Sequence, residues 1–133
     1  MTDPSDDSMH YISAAEIYTI NEEILGHKPL VRDRRLLQAA MQRPFVRMFG
    51  QAAYPTLLDK AAALMHSLAH DHIFADGNKR TAREAVTRFL RGNGLVPQWD
   101  EAECKSFLLK VARNETDIED IAAWLKDHTT PAE

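Results

Sequence analysis

Two apolar stripes at helical spacing bracket one dense polar segment, and this restricts the fold more than any other feature of the 133 residues. Leu57, Leu58, Ala61, Leu64, Met65 and Leu68 form the first stripe. Ala82, Ala85, Val86, Phe89 and Leu90 form the second, which Gly92 and Gly94 stop. Between and into them runs His72-Ile73-Phe74-Ala75-Asp76-Gly77-Asn78-Lys79-Arg80-Thr81-Ala82. The pattern predicts two helices, the first over Thr56 to Asp71, joined by a short loop. The second helix aims its unpaired N–H groups back into that loop beside two cations, an arrangement that suits a phosphate.

The same periodicity recurs along the chain. Ser13 and Glu16 make a capping-box pattern for a helix over Ala14 to Leu25, with Ile17, Ile20 and Ile24 inward and Gly26 as its stop. Asp33 is placed to cap a helix ending at about Gln42 that turns Leu36, Leu37, Ala40 and Met41 inward. Asp100 and Glu103 predict a helix to about Ala112, and Thr116 with Glu119 a last one through Lys126, burying Ile118, Ile121, Ala122 and Leu125. There are no repeats, and strand-like alternation is absent outside Arg43–Gly50. The class is therefore all-α, about six helices in one domain over residues 10–128. Residues 1–9 are expected to be a disordered tail and residues 129–133 a frayed one. Arg43-Pro44-Phe45-Val46-Arg47-Met48-Phe49-Gly50 leaves two readings open. It is either an extended flap offering backbone groups to a partner strand, or a loop tucking Phe45 and Phe49 into the core.

Charge and cysteine usage narrow the partners. The 20 acidic residues outnumber the 16 Lys and Arg, for a formal charge of -4, which argues against nucleic acid or an anionic membrane as the main partner. Arg32, Arg34, Arg35, Arg43 and Arg47 are the most basic neighbourhood; they are either a solvated face or a contact for a nucleotide or an acidic partner. The single cysteine, Cys104, excludes a disulfide framework within the chain and fits a cytoplasmic location. It shares an apolar face with Phe107, Leu108 and Val111, so core packing is its expected role. The acidic start of the chain is unlike a signal peptide, and no apolar run approaches the ~20 residues of a membrane span.

Within the central segment each residue suits phosphate chemistry. Imidazole is the side chain that changes charge near neutral pH, which makes His72 a candidate base for a hydroxyl proton. Phe74 is placed to anchor the loop in the core. Asp76 is a hard oxygen ligand for Mg²⁺, which takes few protein ligands when phosphates supply the rest. Gly77 admits close approach of a phosphate, Asn78 offers an amide donor, and Lys79 and Arg80 offset charge on a transferring phosphoryl group. Each residue also has a structural reading: Asn78 as a helix N-cap, Arg80 paired with Glu84, His72 as a structural histidine. A rival cluster, His66, His70-Asp71 and His72, suggests a metal-dependent HD-type phosphohydrolase, although no later aspartate completes its ligand set. A catalytically silent binding module is the third alternative.

The run His-x-Phe-x-Asp-Gly-Asn-Lys-Arg-Thr-Ala closely resembles the signature of the Fic/Doc superfamily, specifically its Doc (death-on-curing) toxin branch. The resemblance extends from His10 to about Asp127 and takes in Tyr54-Pro55, Lys60-Ala61-Ala62 and Phe89-Leu90-Arg91-Gly92-Asn93-Gly94. It implies an all-α Fic/Doc fold with the active loop between two central helices. It also implies His72 as base, Asp76 on Mg²⁺, and Gly77, Asn78, Lys79, Arg80 and Thr81 around the phosphates of ATP. AMP-transferring members look like His-Pro-Phe-x-x-Gly-Asn-Gly-Arg, whereas this chain has Ile73 and Lys79 at the proline and the second glycine. In Doc-like proteins ATP is thought to lie reversed, with the γ-phosphate toward the target hydroxyl. The resemblance therefore implies a protein kinase, with AMP transfer as the alternative. It further implies a target like elongation factor Tu, modified on a threonine so that translation stops. The family's inhibitory pattern, Ser/Thr-x-x-x-Glu-Gly/Asn, is not found in the chain. This implies inhibition in trans by a small antitoxin, with Arg32–Arg47 as a candidate landing surface. Gly77 departs from those Doc proteins that carry alanine there.

Overall fold

The computed structural model describes residues 8–133. Six α-helices carry the fold among the described residues: α1 Ala14–Leu25, α2 Arg34–Gln42, α3 Leu57–His70, α4 Asn78–Gly92, α5 Glu101–Ala112 and α6 Ile118–Asp127. A 3-10 turn, Arg43–Phe45, follows α2, and two short antiparallel ladders complete the chain. In one, β1 Arg47–Met48 pairs with β2 Gln51–Ala52; in the other, β3 Leu95–Pro97 pairs with β4 Thr129–Pro131. The all-α class holds, with these ladders as additions. None of the described helices is long and apolar enough to cross a membrane.

Helix α3 is the axis. Ala61, Ala62 and Ala63 let neighbours approach on several sides, and Leu57, Leu64, Met65 and Leu68 fill the space between them. A helix buried nearly all round belongs at the centre of a core. It packs against α2, α4, α5 and α6, and α1 closes over α4. Helix α4 buries Ala82, Ala85, Val86, Phe89 and Leu90, as its stripe requires. Each large side chain taken from water here contributes roughly 1.5–3 kcal/mol. Across the outer seam Arg88 of α4 meets Glu84, Glu23 and Glu16 at 3.1, 3.4 and 3.8 Å, so two glutamates of α1 face one arginine of α4.

The caps follow the sequence closely, with one shift. Ser13 Oγ accepts from the Glu16 N–H at 3.1 Å, Asp33 caps α2, and Asp100 and Glu103 form a reciprocal box. At α6 the box is Asp117 with Asp120, one residue beyond the expected Thr116 and Glu119. A carboxylate is the better acceptor at a helix's positive end. Thr116 Oγ1 is left buried without a hydrogen-bond partner.

The termini differ from expectation in part. Of the expected tail over 1–9, residues 1–7 lie outside the described residues, and Met9 is buried against the core. The expected fray over 129–133 is corrected: Thr129–Pro131 is a strand on Leu95–Pro97, and the Ala132 N–H donates to the Gly94 carbonyl at 2.8 Å. The extended backbone that follows the end of α4 at Gly92 gives the last residues a ladder to join. The segment after α2 folds into a hairpin on itself, and the core reading holds for Phe45 but not for Phe49. Phe45 packs edge-on against Phe89 with ring centroids 6.4 Å apart, whereas Phe49 is 99% exposed at the tip of a hairpin.

Candidate active site

The loop between α3 and α4 is fixed from three sides. On one side the segment before α2 pairs with it as a single antiparallel bridge, Val31 to Phe74. There the Arg32 N–H donates to the Ile73 carbonyl at 2.7 Å and the Ala75 N–H to the Leu30 carbonyl at 3.0 Å. On the second side Asn78 Nδ2 donates to the Phe74 carbonyl at 2.8 Å, and Asn78 Oδ1 accepts from the Phe74 N–H at 3.0 Å. On the third, Asn21 of α1 reaches in, its Nδ2 donating to the Asp76 carbonyl and to Thr81 Oγ1, both at 3.0 Å. Ile73 and Phe74 are buried beneath these bonds, and His72 is carried outward, exposed, with φ +53°. A left-handed histidine is uncommon and is sustained only where surrounding bonds over-determine the backbone.

Gly77 is the turn into α4. Its φ is +77°, and a Cβ there would lie 3.0 Å from Asn21 Nδ2 and 3.2 Å from Leu25 Cδ2, so conformation and space both call for glycine. No side chain caps α4. The N–H groups of Asn78, Lys79 and Arg80 therefore carry the helix's positive end outward, with no carbonyl of a preceding turn to meet. Asp76 is exposed, and its Oδ1 accepts from the Gly77 N–H at 2.7 Å.

In front of this terminus lies a cavity of about 270 Å³ lined by Asp76, Gly77, Asn78, Lys79, Arg80, Arg83, Glu101, Lys105 and Leu108. Four cations thus face two carboxylates, and Glu101 is the partner of Arg83 at 3.3 Å. An anionic ligand suits the balance, and Asp76 is the loop carboxylate able to hold a hard cation beside it. Of the residues expected around the phosphates, Gly77, Asn78, Lys79 and Arg80 border the cavity together with Asp76. His72 lies outside its lining, and Thr81 is buried, its N–H donating to the Gly77 carbonyl at 2.9 Å. The Asn78 amide, expected as a donor or an N-cap, is spent on Phe74. Arg80 is exposed, since Glu84 pairs with Arg88 instead.

Four residues of the site lie outside the reading of the sequence. Arg83 follows Arg80 by three positions and so shares its face of α4, a spacing that points to it. Asn21 interrupts the apolar stripe of α1, and a polar side chain at a core position signals a hydrogen-bonding duty. Glu101 and Lys105 arrive through the placement of α5, which no local pattern announces.

The rival histidine cluster serves another purpose. His66 and His70 stack with ring centroids 5.0 Å apart, but Arg43 Nη1 lies 2.9 Å from His66 Nδ1 and sets a positive charge against any metal ion there. Burial first, and Arg43 second, hold the His66 pKa below its ordinary value. Burial pushes the Cys104 thiol up to about 11, in keeping with a core role.

The chain is similar to known proteins over most of its length. A model of the Fic/DOC family matches residues 11–90. Toxin Doc of Mycolicibacterium smegmatis is 39% identical over 125 residues, covering 92% of this chain and 96% of that one. Protein kinase doc of Escherichia phage P1 is 28% identical over 121 residues, covering 89% and 94% respectively.

Proposed function

The chain belongs to the Fic/DOC family, in its Doc branch, and from that premise we propose that it is a Doc-like toxin that acts as a protein kinase, transferring the γ-phosphate of ATP to a serine or threonine hydroxyl. The observation that carries the reading is the uncapped start of α4, with Gly77, Lys79 and Arg80 around a cavity and Asp76 at its edge. At about 270 Å³ the cavity is smaller than the roughly 300–1,000 Å³ of pockets that enclose a whole small molecule. It matches a phosphate chain whose nucleoside lies across the opening.

On this reading the α4 N–H groups with Lys79 and Arg80 bind and orient the phosphates, and Arg83 and Lys105 add charge from the far wall. His72 takes the proton of the target hydroxyl as its oxygen bonds the γ-phosphorus and the bond to the bridging oxygen of ADP breaks. Asp76 would hold Mg²⁺, which when bound neutralises charge on the β- and γ-phosphates. The target is an elongation factor Tu-like translation factor, whose modification stops translation. Restraint comes in trans from a small antitoxin. The exposed Arg32, Arg34, Arg35 and Arg47 remain the surface offered to it, since Arg43 is turned inward.

The test is transfer from ATP labelled separately at the α- and γ-phosphates, with purified elongation factor Tu and with bacterial lysate. Label reaching a protein from the γ-position alone is expected; label from the α-position would replace the kinase reading with AMP transfer. His72→Ala is expected to lose roughly a hundredfold to ten-thousandfold in transfer while remaining folded. Asp76→Ala is expected to lose the Mg²⁺-dependent part. Lys79→Gly, which restores the glycine of AMP-transferring members, is expected to weaken phosphate transfer.

A further inference from the structure

Arg43 sits where α2 gives way to the hairpin β1–β2, and its guanidinium turns to three side chains of the protein. Its Nε donates to the Tyr54 hydroxyl at 3.2 Å, and its Nη1 donates to Ser67 Oγ and to His66 Nδ1, both at 2.9 Å. The Tyr54 carbonyl in turn accepts from the Nζ of buried Lys60. Residues 43 and 54 are the two ends of the segment that carries the hairpin, so both ends are stapled to α3. The last turn of α3 runs through His70 and Asp71 directly into His72. Beyond the staple, Phe45 seats the first strand's entry against Phe89, and Arg47 Nη2 donates to the Gly50 carbonyl at 2.6 Å across the tip. The hairpin has two ladder pairs, the Val46 N–H donating to the Arg43 carbonyl and the Ala53 N–H to the Val46 carbonyl, and an exposed tip at Phe49.

We propose that Arg43 is a positioning residue that fixes the hairpin to α3, and that a proton on His66 releases its hold. Arginine has donors only, so His66 Nδ1 must offer a lone pair and the ring must be neutral, with its proton on Nε2. An imidazolium has no lone pair and places a like charge 2.9 Å from the guanidinium. Around that ring, Arg43 from the 3-10 turn and the stacked His70 oppose its charging. Asp71 at the end of α3 and the Asn114 side chain after α5 favour it. Acidification thus frees the base of the hairpin first and leaves the apolar core of α3 in place. That the hairpin docks a protein substrate rests on the kinase reading; the hold of Arg43 on it does not.

Amide hydrogen exchange on the full chain tests this at about pH 8 and about pH 5, either side of the histidine range, with intrinsic rates divided out. In the wild type the Val46 and Ala53 amides are expected to lose protection at the lower pH by roughly tenfold or more, as suits the loss of one charge-assisted hydrogen bond, while α3 stays protected. His66→Asn keeps an acceptor near the Nδ1 position and cannot titrate, so it should hold the hairpin at both pH values. Arg43→Lys lacks the planar fork that reaches three partners and should show the released pattern at both. A wild-type hairpin whose protection ignores pH, or a His66→Asn hairpin that still opens in acid, would overturn the proposal. A second readout uses purified elongation factor Tu and ATP. Acid should raise the wild-type KM for the protein and leave the KM for ATP unchanged, and His66→Asn should abolish that rise. If the wild type transfers nothing at either pH while its amides behave as expected, the kinase reading fails and the clamp stands.

Discussion

Asn78 and Phe74 are joined by a two-way bond, the side-chain amide of one matching the backbone N–H and carbonyl of the other at 3.0 and 2.8 Å. The pairing imitates a strand ladder at a place where the chain has no strand to offer, and it fixes the loop that projects His72. Asn78→Ala removes both bonds and is expected to cost about 1–3 kcal/mol. Asn78→Asp keeps the acceptor and loses the donor, so it should fall between. Urea unfolding of the three proteins measures both steps, and an unchanged midpoint for the alanine variant would mean the pairing contributes nothing.

Gly77→Ala separates backbone strain from crowding when set beside Gly26→Ala. Both glycines are left-handed, at +77° and +75°, but only at Gly77 would a Cβ meet neighbours, at 3.0 and 3.2 Å. The strain alone is about 1–2 kcal/mol in each. Gly77→Ala is expected to lose more stability than Gly26→Ala and to weaken binding of ATP as the turn opens. Equal losses would show that Asn21 and Leu25 yield without cost.

His66 ties stability to pH with a definite sign. Burial and Arg43 keep its folded value below the 6.5 of an unperturbed histidine. In the interval between the two, the unfolded chain takes up the proton and the folded chain does not. The contribution is therefore fully present above 6.5, declines as pH falls below it, and levels off once folded His66 is also charged. Urea midpoints of wild type and His66→Asn should keep a constant separation at high pH and change it below that value. A constant separation throughout would remove His66 as the source.

Cys104 is expected to be inert in the native state. Its side chain is fully buried and its thiol is pushed up to about 11, so at mildly alkaline pH neither access nor thiolate is available. Ellman's reagent should react slowly with the folded chain and at once in urea. Native reaction at the unfolded rate would mean that α5 is not packed as described.

Helix positions, the motif loop and the all-α class were legible because each rests on local signals: apolar spacing, caps, glycine stops. Thr116 misled because threonine and aspartate are both competent caps, and a choice between adjacent ones depends on how the chain enters α6. The ladder of Leu95–Pro97 with Thr129–Pro131 was illegible because it joins segments more than thirty residues apart that lack a strand pattern. At the site, the residues contiguous with the motif were readable, but their duties were not. Asn78 looks like a ligand donor until its amide is seen turned to Phe74, and Thr81 until Asn21 is seen bonded to it. Lys105 and Glu101 are surface charges of an amphipathic helix until α5 is laid across the start of α4.

Asn21 lies 55 positions before Asp76 and 60 before Thr81, yet it fastens both. A peptide copied from the motif alone would reproduce the letters without the stiffness, since the carbonyl of Asp76 takes its orientation from a helix made much earlier in synthesis. Both bonds need α1 and the start of α4 together, so the loop gains this fastening only once the two helices have met. The shape of the loop thus belongs to α1 and α4 as a pair, and not to the motif's own residues alone.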